Sequence, residues 1–311
     1  MIQVKDEADF IRDRDNQKLR GFYKIPDNAY FQAPGIGASS IIKYSQDPRL
    51  FAYEKQFPKQ TDALKDGTIF DLLVTAPDEI HFLPDDAFPQ VAPAARIYVL
   101  PKRFETLKAK GIADYLRDRG VDKKRCTTFR AIRDFEFMKQ RLVTHPDWEK
   151  YHPRYNSQHD DYLYQVSAFW SDENGTLRKC KPDMLHPDGR YQLDIKRQAD
   201  VSDRGWFKAN RDFWYYARDG WYSKILRNLV PNFEGSIFPV VKNTGPFHCR
   251  FLTIRQDQTE YGLAKLEEKL PDYKASEVSQ VYPAIYYEGT EELDLPPYAM
   301  GIKKEYVSDF S

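Results

Sequence analysis

Cysteine is scarce in this chain of 311 residues: Cys126, Cys180 and Cys249 stand far apart. Three such thiols form no disulfide framework and suit a reducing compartment, so a cytoplasmic location is expected, in a host cell if the chain is phage-encoded. They also fall short of the four thiolates of an iron–sulfur cluster. No apolar run reaches the ~18 residues of a transmembrane helix, so no membrane partner is expected. Met1 to Asp15 is densely charged and lacks an apolar h-region, which argues against a secretory signal. The GxxxxGK[ST] pattern is absent and excludes a P-loop ATPase, and the lack of HExxH and CxxC removes the common zinc patterns. Gly35-Ile36-Gly37 begins like a dinucleotide fingerprint without its third glycine, and reads as a loop before a serine-capped helix. Net charge is missing too: 47 basic side chains face 47 acidic ones, which at face value argues against a polyanionic partner.

What is abundant is aromatic. Twenty Phe, 21 Tyr and 5 Trp are too many for a disordered coil, and the length suffices for a full core. The first stretch, to about residue 125, is rich in turn signals and reads as irregular, with helices starting near Ser39 or Ser40 and over roughly 60–74. In 127–143, Ile132, Phe135, Met138 and Leu142 recur at spacings of three and four, an amphipathic helix. A polar loop follows, in which His145, His152 and His159 read as loop residues rather than metal ligands. The period then changes to that of strands: 162–170, a DENG turn, 176–185, an HPDG turn and 190–196. A long aromatic helix is expected over 205–230, then strands SIFPVV and FHCRFLTI, the charged helix DQTEYGLAKLEEKL and an acidic tail. Strands mixed with helices indicate a mixed α/β sheet flanked by helices.

One constellation carries chemistry. Pro182-Asp183 is followed, after ten residues, by Asp194-Ile195-Lys196. Asp194 and Lys196 lie two apart on a strand and share a face, and a short turn brings Asp183 beside them. Two carboxylates with water and phosphate oxygens suit Mg²⁺, which would acidify an attacking water and stabilise the leaving oxygen. Lys196 would orient that water, help deprotonate it, or offset charge on the phosphorane. An acid and a lysine inside the core-like QLDIK strand are costly unless paired or metal-bound, which favours a site over an exposed ion pair.

RKCKPDMLHPDGRYQLDIK resembles the core of the PD-(D/E)xK nuclease superfamily, in particular the exonuclease domain of exodeoxyribonuclease VIII (RecE) and related phage recombination exonucleases. IGASSIIKYSQDP, DGTIFDLLVTAPDEI, RDGWYSKIL and YPAI…LDLPPYA resemble further segments of that family in order. The resemblance implies a restriction-endonuclease-like α/β fold with a mixed central β-sheet flanked by helices. It implies one nuclease domain over 1–311: an N-terminal part over 1–125 contributing Asp71, the core over 126–285 and the acidic tail over 286–311. It implies a metal-dependent exonuclease digesting one strand of linear duplex DNA 5′ to 3′. Mg²⁺, with Mn²⁺ substituting, would be held by Asp183, Asp194, Ile195 and Asp71, with Asp183, Asp194 and Lys196 catalytic. The partners implied are double-stranded DNA ends, a ring of identical subunits and a single-strand annealing protein. Three positions depart from the family pattern: Asp71 stands for a usual histidine, Gln165 for a frequent glutamate, and Arg218 for a glutamine four residues before Tyr222.

Dividing the charge along the chain changes its meaning. Residues 178–227 hold twelve Lys/Arg against seven Asp/Glu, with aromatics interleaved. Lys181, Arg197, Arg218 and Tyr222 are the expected DNA contacts, cations tracking phosphates and some rings stacking on bases. The alternatives are a non-catalytic DNA-binding or assembly protein on the same fold, or an endonuclease or single-strand nuclease.

Overall fold

The computed structural model describes residues 2–58, 61–83, 95–105, 109–151 and 163–284; His152, His159 and the acidic tail lie outside them. Three sheets are present among these residues. The first runs in the order Val4–Lys5, Gly21–Tyr23, Ser167–Ser171, Leu177–Cys180, Ile36–Gly37. The second runs Lys196–Gln198, Gly235–Lys242, Tyr191–Leu193, Met184–Leu185, Leu163–Tyr164, and Cys249–Leu252 pairs antiparallel with Gly235–Lys242. A small parallel sheet joins Ile80–Phe82, Ile97–Val99 and Cys126–Thr127. The stretch before residue 125, read as irregular, thus contributes strands to two sheets; Gly21–Tyr23 and Ile36–Gly37 find partners far along the chain, in Ser167–Ser171 and Leu177–Cys180.

The expected strand over 176–185 crosses between sheets. Leu177–Cys180 pairs with Ser167–Ser171 across the DENG turn, whereas Met184–Leu185 pairs with Tyr191–Leu193 in the second sheet. Pro182, with no N–H to donate, stands at the crossing. The strand over 162–170 is likewise divided, at Gln165, whose φ of 51° turns the chain out of its ladder.

Helical expectations hold with corrections. The helix Phe129–Val143 buries Ile132, Phe135, Met138 and Leu142, and Asp62–Thr75 buries Ile69, Phe70, Leu72 and Leu73. The supposed polar loop after residue 143 contains the helix Pro146–Tyr151, and His145 stacks on Phe251 at 4.9 Å. The long helix over 205–230 is two, Asp203–Asp212 and Tyr215–Leu229, broken at left-handed Trp214. Asn210 Oδ1 accepts from the Tyr216 N–H at 2.8 Å and so caps the second. The last helix, Gln256–Ser279, runs past Pro271. Burial of Leu266, Leu270 and Tyr273 against Tyr44 and Trp221 outweighs the hydrogen bond that proline removes.

Helices Tyr215–Leu229 and Gln256–Ser279 touch through glycine. A Cβ on Gly262 would lie 2.6 Å from the Ala217 Cα and 2.6 Å from the Tyr216 ring. Gly262→Ala should therefore cost about 1–3 kcal/mol in a denaturant titration. Gly67→Ala, in a helix with open space around it, should gain about 1 kcal/mol.

Asp219 is 5 % exposed, hydrogen-bonded by Ser236 and Ser223, and burial pushes its carboxyl up to about 6. The folded state therefore binds this proton more tightly than the unfolded chain does. Stability should be full below pH 4 and fall as pH rises towards 6, by up to about 3 kcal/mol. Asp219→Asn should flatten that slope in thermal melts between pH 4 and 7.

Candidate active site

The strand bearing Asp194 and Lys196 is one ladder. Leu193 pairs with Ile237 and Lys196 with Val240, the same register on both sides, and the Asp194 N–H donates to the Ile237 carbonyl at 3.0 Å. Gln192, Asp194 and Lys196 therefore share a face, while Leu193 and Ile195 point into the core with Met184 and Ile237. Antiparallel pairing of Met184 with Leu193 sets Asp183 opposite Asp194.

Asp183, at the sheet crossing, is fixed at both ends. Its carbonyl accepts from the Gln165 N–H at 3.0 Å and its Oδ2 accepts from the Ile195 N–H at 2.9 Å. The Lys196 ammonium is paired with the Asp194 carboxylate, lies 3.4 Å from the Ile195 carbonyl and 5.2 Å from the centre of the Tyr215 ring. Asp71 joins them from the helix Asp62–Thr75.

Electrostatics separate the three acids. Burial, reinforced by Asp71 and Asp194, pushes the Asp183 carboxyl well above the carboxylate range. Burial also raises Asp71, to about 7, with Lys196 pulling against it and Asp194 adding to it. Burial opposes ionisation of Asp194 too, but Lys196 and Arg218 outweigh it and hold that carboxyl low. The two facing carboxyls are thus driven apart, Asp183 towards its protonated form and Asp194 towards its ionised one. Lys196 is held charged: Asp194 and Asp183 overcome the penalty of burial.

Asp71 and Asp183 open onto a cleft of about 330 Å³, lined also by Tyr30, Ser39, Ser40, Arg96, Gln165, Lys181 and Tyr222. Asp27 binds both the Lys181 ammonium and the Arg96 guanidinium at this rim. Arg218 is aimed at the acids, and its Nε, shielded from solvent, has no hydrogen-bond partner. Of the expected DNA contacts, Lys181 and Tyr222 line the cleft and Arg218 faces the acids behind it. Arg197 instead binds Asp66 at 3.0 Å and lies over Phe135, fixing the helix that carries Asp71. Arg96 and Asp27 escaped the sequence reading because they meet the site only through long-range contacts; no local pattern marks them.

Among the described residues no three His, Cys, Asp or Glu side chains stand close enough to form a metal cage. Mg²⁺ does not require one: it typically takes one or two carboxylates and keeps waters and substrate oxygens. Asp183, Asp194 and the Ile195 carbonyl are such a set, all hard oxygen donors. Asp71 lies near enough for its charge to act on Asp183, and burial pushes both towards protonation, so a hard cation beside them would be favoured.

Residues 164–292 match the family model of a PDDEXK-like domain of unknown function (DUF3799). No curated protein matches the chain. Among solved structures, a protein from Eubacterium rectale described as a "putative exonuclease" is similar, with a TM-score of 0.56 and 14% identity, covering 91% of this chain and 99% of that one. Residues 164–292 thus resemble a PDDEXK-like domain, and the chain shares its mixed α/β fold with that solved structure.

Proposed function

We propose that the chain is a Mg²⁺-dependent deoxyribonuclease, an exonuclease that hydrolyses phosphodiester bonds of linear double-stranded DNA from 5′ to 3′. The observation that carries this reading is Asp183, Asp194 and Lys196 meeting beside a cation-rimmed cleft on a PDDEXK-like fold. Polarity, and a ring-shaped assembly working with a single-strand annealing protein, follow from the likeness to exodeoxyribonuclease VIII.

Asp183, Asp194 and the Ile195 carbonyl would hold the cation, with Asp71 beside them. Bound there, Mg²⁺ supplies an acidified water and polarises the scissile phosphate; Mn²⁺ would substitute. Lys196, held protonated by two acids, offsets negative charge developing on phosphorus rather than taking the water's proton. Arg218 offers its unpartnered Nε–H to a phosphate oxygen, and Lys181 and Arg96, pinned by Asp27, draw the backbone into the cleft. A second reading, a DNA-binding protein without catalysis, rests on the departures from the family pattern at Asp71, Gln165 and Arg218.

Asp194→Ala and Lys196→Ala should each lower digestion of linear duplex by about a hundredfold or more while circular dichroism stays native. Undiminished digestion in both sinks the assignment. Duplex labelled at its 5′ or 3′ end, beside closed circular DNA, reads polarity and exonuclease character directly. Metal binding is read without turnover by thermal shift. Wild type should gain about 1–3 kcal/mol at ten to a hundred times Kd of Mg²⁺, and Asp183→Asn should lose that gain while remaining no less stable without metal.

A further inference from the structure

The helix Asp203–Asp212 presents two finished faces. On one, Trp206, Ala209 and Asn210 are buried, with Trp206 5.5 Å from Phe238 and 5.9 Å from Tyr215 between ring centres. On the other, Arg204, Phe207, Lys208 and Arg211 recur at spacings of three and four and are all exposed. Phe207 is 62% exposed, and Phe213, the residue after the helix, 59%. The helix already buries an apolar face, so these rings are not displaced core. Phe213 stacks on Tyr215 at 5.7 Å, and the Tyr215 ring in turn lies beside the Lys196 ammonium, so aromatic rings run from the surface to the reacting centre. Arg211 is paired with Asp212 and Asp203 with Arg250, whereas Arg204 and Lys208 have no ion-pair partner among the described residues.

We infer that this helix face and Phe213 bind a single, unpaired DNA strand next to the active site. Phosphates would lie on Arg204 and Lys208 and bases would stack on Phe207 and Phe213. Exposed rings beside Arg204 and Lys208, which make no ion pair among the described residues, match the chemistry of a single strand, which offers a π-face and a negative charge at each nucleotide. A duplex keeps its base faces stacked away, and a second copy of this surface would bring like charges together. The inference rests on the nuclease reading for the identity of the polymer only.

The test is fluorescence anisotropy of labelled oligo(dT), and of a blunt hairpin duplex, with the full chain in EDTA so that nothing is cleaved. Phe207→Ala/Phe213→Ala should weaken oligo(dT) binding by about tenfold or more, since each stacked base is worth about a tenfold factor. The melting temperature should not move, and Phe207→Trp/Phe213→Trp should retain the affinity. Arg204→Ala/Lys208→Ala should lower the slope of log affinity against log salt by about 1.4. Unchanged oligo(dT) affinity in both alanine pairs overturns the inference, and so does an equal loss on the hairpin. Loss of self-association in light scattering with DNA affinity intact overturns it in favour of a protein partner. If the nuclease reading alone fails, wild type is as inactive as Asp194→Ala but these binding differences stand. If the inference alone fails, digestion proceeds and the binding differences vanish.

Discussion

A single ladder of hydrogen bonds sets the site. The strand from Tyr191 to Gln198 runs along Gly235–Lys242 without change of register, and the side-chain period of two then sends Gln192, Asp194 and Lys196 one way and Leu193 and Ile195 the other. A slip of one residue would expose Leu193 and Ile195 and drive an acid and a lysine into the cluster of Ile69, Phe135 and Met184. Each fully buried aliphatic side chain contributes roughly 1.5–3 kcal/mol, so packing on the apolar face enforces the geometry of the polar one. Function here is held in place by residues that take no part in it.

The second constraint is charge. Cations near the cleft are tied to acids from distant segments: Lys181 and Arg96 to Asp27, Arg197 to Asp66. Arg178, only 2% exposed, shows the same pattern in the core, held by Asp172 and Glu267 and placed 4.4 Å from the centre of the Trp221 ring. Such pairs fix long side chains at defined points, which flexible surface lysines do not. A cleft with anchored cations can attract a polyanion while the whole chain remains neutral.

How much of this could be read from the residues alone follows from the range of the interactions. The helix over Phe129–Val143 was legible because its pattern is local, and Asp183, Asp194 and Lys196 were legible because only ten residues and one turn separate the acids. Helix boundaries at Trp214 and Pro271 were not, since one depends on a cap from Asn210 and the other on packing against distant rings. The sheet crossing at Pro182 was invisible for the same reason: both halves read as one strand, and only their partners tell them apart. Arg96 and Asp27 lie far apart in sequence, and nothing in either neighbourhood announces their meeting.

The departures from the family pattern make sense as a group once their surroundings are known. Gln165 contributes its backbone rather than a carboxylate, turning at positive φ so that its N–H holds the Asp183 carbonyl. Arg218 adds positive charge near Asp194 and Asp183, and it joins Lys196 in keeping Asp194 ionised. Asp71 returns the acid that Gln165 removes, so the three departures together add one cation, Arg218, to the site. In the proposed reaction Asp183, Asp194 and the Ile195 carbonyl would hold the Mg²⁺, and Lys196 and Arg218 would supply further positive charge to the phosphate. Burial raises the Asp71 carboxyl to about 7, so it gives up its proton less readily than an exposed aspartate, and a cation held beside it would favour the ionised form.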